Sequence, residues 1–302
     1  MNLLDWQSWL HDTNWMWGGS EGQIPRAIIG VVGGACVGWL AVRKRALTVS
    51  GALAAAVMGA WYTTFGGLLW FATLLMFFVT STLLSRWKKH HRRKQAAEQN
   101  YEKKGARDAG QVWANGGIGL ILCSAHAISP SPYLLAAFVG VMAAVNADTW
   151  ATEVGALSRQ QPRSVVTGKR VSTGTSGGVT LLGSSAAAMG AIVIGLTAGC
   201  LAGAAGYQQS NGYAASIGLL IGIGALSGLA GAFIDSYFGA TLQAMFRCST
   251  CGSETERASH CGQATTPVRG WAWMNNDRVN MLASIASGAI ALGLSLAVHI
   301  SG

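Results

Sequence analysis

Charged residues are scarce in this chain. Asp, Glu, Lys and Arg make up 11% of its 302 residues, and only 12 residues are acidic, whereas a soluble protein carries about 25% charged residues. Hydrophobic residues account for 51% of the chain, and several apolar runs reach or approach the roughly 20 residues that a bilayer-spanning helix needs. The composition excludes an ordinary soluble protein and predicts an all-α, polytopic bundle of transmembrane helices.

Three further features are missing. Residues 1–20 are polar and rich in Trp, and they lack the basic segment and apolar core of a cleavable signal. We expect these Trp side chains to lie at a membrane interface. No internal repeat is evident, although inverted repeats are common in transporters. The chain also lacks the GxxxxGK[ST] pattern of a Walker A phosphate loop, so the sequence gives no support to a P-loop enzyme.

The apolar runs predict about eight spans within a single transmembrane domain, residues 1–302. The predicted bounds are 24–42, 47–62, 66–84, 112–128, 133–145, 179–201, 214–233 and 279–299. Of the 21 Lys and Arg residues, only Arg26 lies toward the opposite end from the others. By the positive-inside rule the basic loops are cytosolic and both termini lie outside. We expect a bacterial cytoplasmic membrane, and no nucleic-acid partner, because the net charge of +9 is concentrated in loops that flank the spans.

Three loops are long enough to carry function. Residues 85–111 form a basic cytosolic loop that opens with the run RWKKHHRRK, which is typical of a topogenic or lipid-attracting segment. Its part 95–104 is expected to be an exposed linker or a short helix. Residues 146–178 form a second loop, to which we assign nucleotide or phosphate binding. Residues 235–278 form a third, with a Cys/His cluster.

Polar side chains gather where four predicted spans meet the cytosol. Asp108 and Asn115 open the fourth span on one helical face, and Asn146, Asp148 and Glu153 close the fifth. Each residue alone can be explained as a helix cap, but polar groups near lipid are costly and tend to be functional. The clusters share one depth, which favours a common site. The other members of this set close the seventh span or open the eighth: Asp235, Asn276 and Asp277.

These acids suggest a Mg²⁺ site, since Mg²⁺ binds one or two carboxylates together with substrate phosphates. Asp148 and Glu153 lie about 140° apart on a continuous helix, so they cannot both bind one ion unless the helix breaks. Asp148 is therefore the stronger ligand candidate. The full set of predicted Mg²⁺ ligands is Asp148, Glu153, Asp235 and Asp277.

The loop before the sixth span has the composition of an anion site. Glycines let backbone N–H groups turn toward an anion, and the start of the following helix adds a positive dipole end. Lys169 and Arg170 supply charge. An ordinary flexible loop is the alternative interpretation. The predicted contacts to nucleotide or phosphate are Lys169, Arg170, Gly174, Thr175, Ser176, Gly177, Gly178, Asn115 and Asn276.

A Cys/His cluster lies in the loop 235–278. A CxxC pair in a cytosolic segment is more often a metal knuckle or a redox pair than a structural disulfide. Cys248, Cys251, His260 and Cys261 could together hold a structural Zn²⁺, although adjacent His and Cys ligands depart from common zinc-finger spacings.

Five motifs together resemble a widespread integral membrane family that includes the plant phytyl-phosphate kinases. They are RDAGQVWANGG, NADTWATEVGALS, PRSVVTGKRVSTGTSGGVTLLGS, DSYFGATLQ and WMNNDRVN. An acidic helix end followed by a Lys-containing glycine and serine loop is also distantly similar to the dolichol kinase and phosphatidate cytidylyltransferase group, which uses CTP.

The resemblance implies a CTP-using kinase that converts an isoprenoid monophosphate to its diphosphate. It places Asp148, Lys169 and the 174–178 loop at the nucleotide, with Asp108, Asn115, Asp235 and Asp277 around one cavity. We therefore expect Asp148, Asp108 and Lys169 to be catalytic, with Mg²⁺ and CTP bound and a membrane prenyl phosphate as substrate. A lipid or ion transporter that uses intramembrane acids is the alternative.

Overall fold

The computed structural model describes residues 22–205 and 217–301 and is predominantly helical. The N-terminal Trp residues and the start of the predicted 214–233 span lie outside these ranges. The helices of the described part are α1 Gln23–Arg43, α2 Val49–Trp61, α3 Gly67–Arg86, α4 Arg92–Glu98, α5 Ala109–Ile128, α6 Pro132–Gly155, α7 Leu181–Ala204, α8 Ile217–Thr241 and α9 Asn276–Ser301.

The helices confirm the predicted class, a helical integral membrane protein. Six helical segments of the described part are long and apolar enough to cross a membrane. One of them, Val49–Arg86, contains both α2 and α3, joined by the π-helical turn Tyr62–Gly66. Helix α5, at the predicted fourth span, is not among these six segments. The count of about eight spans is therefore approximate.

The chain reverses between α2 and α3 at Gly67, where φ is 69°. The Arg86 guanidinium, at the end of α3, donates a hydrogen bond to the carbonyl oxygen of Lys44, which precedes α2. Both ends of this helical pair therefore lie at the same end of the molecule. Arg26 lies near the reversal, because its Nε donates to the carbonyl oxygen of Thr64 at 3.0 Å.

Three helices have a side-chain cap at their N-terminus. Thr48, Asp108 and Thr180 each accept a hydrogen bond from the backbone N–H three residues later. Asp108 also forms a capping box with Gln111. Such caps satisfy N–H groups that have no partner within the helix. The starts of α2 and α5 lie together, because the Thr48 N–H donates to the carbonyl oxygen of Arg107 at 3.0 Å.

Helix α6 forms the centre of the bundle. Every residue from 135 to 147 is buried, and the helix packs against α5, α7, α8 and α9. Asn146 is fully buried, and its Nδ2 donates to the carbonyl oxygen of Gly190 on α7 at 2.8 Å. Asn146 therefore joins helices rather than lining a site. The helix continues past the predicted boundary at 145 to Gly155, so Asp148 and Glu153 lie in its final turns.

Short strands in the connecting loops were not predicted. β1 (Arg163–Ser164) pairs with β2 (Gly178–Val179). Residues 245–269, here called the strand lobe, contain a three-stranded sheet and a separate hairpin. Their strands are β3 Met245–Arg247, β4 Glu254–Thr255, β5 Ser259–His260, β6 Gln263–Ala264 and β7 Thr266–Arg269.

Candidate functional site

A polar cavity of about 480 Å³ lies at one end of the helix bundle. Its walls come from the ends of α6 and α8, the starts of α5, α7 and α9, and the loops at 101–107 and 173–180. Helices that are distant in sequence therefore place their polar termini around one space.

Asp148 and Asp235 face each other in this cavity. They lie near the ends of α6 and α8, and their carboxyl groups are close enough to share a hydrogen bond. Among the described residues, neither carboxylate forms a salt bridge. Two adjacent carboxylates without a basic partner suit the oxygen-rich coordination of Mg²⁺. This pair fits the predicted Mg²⁺ site.

Glu153 lines the cavity and is already paired with other side chains, so its assignment as a metal ligand stays a prediction. Its carboxylate forms an ion pair with Lys94 and accepts a hydrogen bond from the Ser85 hydroxyl. The Lys94 side chain is only 3% exposed. The ammonium of Lys94 also donates to the carbonyl oxygens of Leu84 and Trp87 at the end of α3. Glu153 therefore neutralises a buried lysine that caps α3.

Asp108 and Asp277 both bind Lys103, whose ammonium lies 2.9 Å from Asp108 and 2.5 Å from Asp277. Burial alone lowers the pKa of Lys103, but the hydrogen bonds to Asp277 and Asp108 outweigh burial and raise that pKa. Burial also opposes the ionisation of Asp108. Its pKa is nevertheless lowered, because the carboxylate accepts the Gln111 N–H and lies beside the Lys103 ammonium.

This three-residue cluster joins α5 to α9. Asp277 lines the cavity and is paired with Lys103, and its assignment as a metal ligand stays a prediction. Asp108 lies beside the cavity lining and caps α5. Its carboxylate holds Lys103, and its assignment as a catalytic residue stays a prediction.

Amide side chains form another wall of the cavity. Asn115, Asn276 and Asn280 all line it, and Asn280 Nδ2 donates to Asn115 Oδ1 at 3.5 Å. Asn280 Oδ1 has no hydrogen-bond partner in the part of the chain that the structure describes. Amides that are both donors and acceptors suit a polar ligand such as a phosphate or a nucleotide.

The glycine-rich loop borders the cavity and is held tightly in place. Gly174 and Gly177 have φ values of 84° and 81°, which favour glycine. A Cβ at Gly174 would lie 2.6 Å from the carbonyl oxygen of Ala97, and one at Gly177 would collide with Ala240. The loop is therefore packed between α4 and α8. All five of its predicted phosphate contacts line the cavity: Gly174, Thr175, Ser176, Gly177 and Gly178.

Hydrogen bonds fix this loop from both sides. Ser176 Oγ donates to Gln243 Oε1 at 2.7 Å, and Arg269 donates to the carbonyl oxygen of Ser176 at 2.9 Å. Asn100 Nδ2 donates to the carbonyl oxygen of Thr173 at 3.1 Å. The loop is thus tied by hydrogen bonds to three other segments of the chain.

Lys169 and Arg170 lie outside the cavity, which corrects their prediction as phosphate contacts. Both side chains are exposed on a tight hairpin, where the Ser164 N–H donates to the carbonyl oxygen of Lys169 at 2.9 Å. The positive charge around the cavity comes from other loops. The basic residues that line it are Lys44, Arg45, Arg86, Lys89, Lys94, Lys103, Lys104 and Arg107.

Tyr101 and Glu256 also line the cavity, and no sequence motif marked them. Burial raises the pKa of Tyr101, and the nearby charge of Glu256 and Glu153 adds to the effect. Burial also raises the pKa of Glu256, although its carboxylate accepts the backbone N–H of Glu102. Both residues come from loops that we expected to be a linker and a metal-binding segment.

A smaller pocket of about 70 Å³ lies between α1, α2, α3 and α5. Its side chains are largely apolar, including Met58, Phe71 and Phe78. Arg107 and Asn115 line both this pocket and the polar cavity. The polar cavity therefore adjoins an apolar pocket within the bundle, at a boundary marked by a guanidinium and an amide.

The predicted Cys/His cluster is assembled in the strand lobe. One ligand atom from each of its four residues lies within 4.8 Å of all the others: Cys248, Cys251, His260 and Cys261. All six cysteines of the described part are free thiols. The cluster is separate from the Asp148 and Asp235 pair.

Comparison with known proteins gives a family match over most of the chain. The family described as "Integral membrane protein DUF92" matches residues 32–288. "Protein PGR" of Arabidopsis thaliana is 35% identical over 150 residues, which are 50% of this chain and 51% of that protein. "Uncharacterized membrane protein MJ0933" of Methanocaldococcus jannaschii is 28% identical over 186 residues, 62% of this chain and 61% of that protein. The matches thus span between half and two thirds of these relatives. No solved structure matches the chain.

Proposed function

The chain belongs to the integral membrane family DUF92, and from this premise we propose that it is a Mg²⁺-dependent kinase of isoprenoid monophosphates. It transfers a phosphoryl group from CTP to a phytyl or other prenyl monophosphate and releases the diphosphate and CDP. The reaction takes place at the cytosolic face of the membrane. Membership confirms the family resemblance that the motifs indicate, while the activity is our proposal.

The polar cavity and the apolar pocket lie side by side, and the proposal rests on this arrangement. A cation-lined polar cavity and an apolar pocket share Arg107 and Asn115. An amphiphile with an anionic head and an apolar tail fits such a junction, because its phosphate needs cations and its tail needs a water-free contact. Arg107 is well placed at the head, since its Nη1 donates to Ser81 at 2.9 Å and its guanidinium lies over the Phe77 ring.

The paired carboxylates of Asp148 and Asp235 suit the donor side of the reaction. Bound there, Mg²⁺ would neutralise charge on the triphosphate and on the group in transfer. Residues at the start of α7 and in the 174–178 loop line the same cavity. Helix N-termini and glycine-rich loops favour phosphate groups. These groups bind and orient the donor.

The acceptor needs little activation. A phosphate monoester already carries negative charge near neutral pH, so its oxygen can attack the terminal phosphorus of the nucleotide as the bond to CDP breaks. Catalysis of phosphoryl transfer is largely positioning and charge stabilisation. This agrees with a cavity that is lined by eight Lys and Arg side chains and four amide side chains. The preference for CTP rests on the distant resemblance to the dolichol kinase group.

A direct assay tests the proposal. Purified protein is incubated with Mg²⁺, γ-labelled CTP or ATP, and a panel of phytyl, farnesyl and geranylgeranyl monophosphates, with the free alcohols as negative controls. We expect a labelled lipid diphosphate with CTP, and much less of it with Asp148→Asn. Glu254→Gln, a matched removal of a carboxylate outside the cavity, should remain active. Absence of any phosphorylated lipid, combined with uptake of a lipid or ion by protein-containing vesicles, would favour the transporter.

A further inference from the structure

The strand lobe has too small a core to be stable by packing alone. Within residues 245–269, only Met245, Cys248 and Thr255 are buried. Its strands are two to four residues long. Small folds with little apolar burial usually need a disulfide or a metal. The cysteines of the lobe are free thiols, so no disulfide supplies that stability.

The four residues of the Cys/His cluster have the separations of a tetrahedral metal site. His260 Nδ1 lies 3.5 Å from Cys251 Sγ and 3.3 Å from Cys261 Sγ. With Zn–S near 2.3 Å and Zn–N near 2.05 Å, the S–N edge of a tetrahedron is about 3.5 Å. The cluster therefore has the size that Zn²⁺ requires, with three thiolates and one imidazole.

The backbone of both ligand segments is shaped for this arrangement. In the first, the Gly252 N–H donates to the Cys248 carbonyl oxygen at 2.9 Å, which closes a tight turn around the CxxC pair. In the second, Cys261 and Gly262 occupy the two-residue turn between β5 and β6, with φ values of 53° and 76°. A cysteine with positive φ is uncommon. This conformation lets the adjacent residues His260 and Cys261 direct their ligand atoms to one point.

We infer that Cys248, Cys251, His260 and Cys261 bind a structural Zn²⁺ that holds the strand lobe over the polar cavity. The inference does not depend on the kinase proposal, because it concerns the stability of a lobe. Metal binding releases the thiol protons as the three thiolates form, and no redox change takes place.

The lobe reaches the cavity through the segment between its two ligand pairs. The Thr255 hydroxyl and the Glu256 N–H both donate to the carbonyl oxygen of Asn100 at 2.9 Å. The Glu256 carboxylate accepts the Glu102 N–H at 3.1 Å. Asn100 in turn holds the glycine-rich loop through Thr173. Residues 255 and 256 are here called the cavity roof. Zinc would therefore order this roof, which contacts the loop after α4 directly and the glycine-rich loop through Asn100.

The test measures metal directly on the full-length protein in detergent. Elemental analysis should find about one zinc per chain, because four ligands make one complete site. Cobalt added to the reduced, zinc-free protein should give the intense visible bands of tetrahedral thiolate coordination. Cys251→Ser and His260→Ala should lose both signals. His260→Cys should keep them, because a four-cysteine site also binds zinc. Cys200→Ser, a matched change within α7, should leave both signals intact.

A second readout tests the effect on the cavity roof. Removing zinc with a chelator should speed amide hydrogen exchange in residues 245–269 and 99–105 and leave the core of α6 unchanged. Reduced, folded protein that binds neither zinc nor cobalt would overturn the inference, as would a Cys251→Ser variant with full zinc content. Unchanged exchange at 99–105 after zinc removal would overturn the roof function of the site.

Discussion

Asp148 on α6 and Asp235 on α8 hold their carboxyl groups within hydrogen-bonding reach of each other, at the ends of two helices that are far apart in sequence. Two carboxylates at this separation repel each other unless a cation or a proton lies between them. Neither has a salt-bridge partner among the described residues. The arrangement therefore suits either a shared proton or a bound cation, and in the proposed reaction Mg²⁺ would be that cation.

Asp148→Asn and Asp235→Asn should each lower kcat by on the order of 100-fold, a typical loss when one group that stabilises the transition state is removed. The double variant should be little worse than either single one, since the two carboxylates act as a unit. Mg²⁺ titrations of activity and of thermal stability would check this. Wild-type Mg²⁺ dependence in either variant would contradict it.

A buried ion pair holds α4 against α3 and α6. Glu153→Gln leaves the Lys94 ammonium buried without its carboxylate, and breaking a buried pair in this way costs about 3–5 kcal/mol. Glu254→Gln removes the shared partner of two more exposed cations, Arg247 at 3.2 Å and Arg269 at 3.8 Å, and each such pair contributes about 0–1 kcal/mol. The two variants differ in the exposure of the cation that loses its partner, since the Lys94 side chain is 3% exposed and the Arg247 side chain is 55% exposed. Thermal or denaturant unfolding in detergent measures the difference, and equal losses would contradict this role of Glu153.

Much of the fold follows from the sequence, because apolar periodicity and length are local signals. The predicted spans 66–84 and 179–201 lie close to α3 and α7. The helix ends were less accurate, since α6 continues through polar residues to Gly155 and buries Asn146 against α7. A polar residue in a boundary segment can satisfy its side chain across a helix interface, and such a partner is invisible in the sequence.

The site was only partly predictable for the same reason. The motifs marked Asp148, Asp235 and the glycine-rich loop, which the structure places around one cavity. The pairing of Lys94 with Glu153 depends on the fold, because Lys94 lies in α4 and Glu153 lies in α6, far away in the sequence. Lys169 is predicted as a phosphate contact because it belongs to the glycine-rich loop, but it lies on a hairpin outside the cavity.

The Lys103 cluster should give the protein a defined pH response. The pKa of Asp108 is lowered in the folded state, so its contribution to stability is present above the unfolded pKa of about 3.9 and is lost as the pH falls through the folded value. The pKa of Lys103 is raised, so its contribution is present below about 10.4 and is lost as the pH rises through the folded value. The stability difference between wild type and Lys103→Met should therefore be constant from about pH 5 to 9 and shrink on both sides. Melting temperatures across this range test it, and a difference that peaks near pH 7 would contradict it.

The glycine-rich loop should be intolerant of a side chain at one position in particular. Gly174→Ala adds a Cβ 2.6 Å from the Ala97 carbonyl oxygen at φ 84°, so both a clash and backbone strain oppose it. Gly168→Ala has a similar φ, 66°, but no neighbour within 4 Å, so it carries only the strain of about 1–2 kcal/mol. We expect Gly174→Ala to weaken CTP binding and to lower the melting temperature more than Gly168→Ala does. Equal effects in calorimetry and melting experiments would show that contact with Ala97 does not shape the loop.

The apolar pocket should set the length of the lipid tail. Gly59 lines this pocket, and a Cβ there would make ordinary contact with Phe71 at 3.5 Å. A larger side chain at Gly59 should therefore fill the pocket without disturbing the backbone of α2. Gly59→Leu is expected to raise KM for geranylgeranyl phosphate by roughly 10-fold or more, since losing the burial of even two methylene groups costs about 1.6 kcal/mol. KM for CTP and for a short prenyl phosphate should change little. Gly33→Leu on α1 is the matched control, because nothing lies within 4 Å of a Cβ there. If Gly59→Leu raised KM equally for short and long substrates, the tail would lie elsewhere and the pocket would have only a packing role.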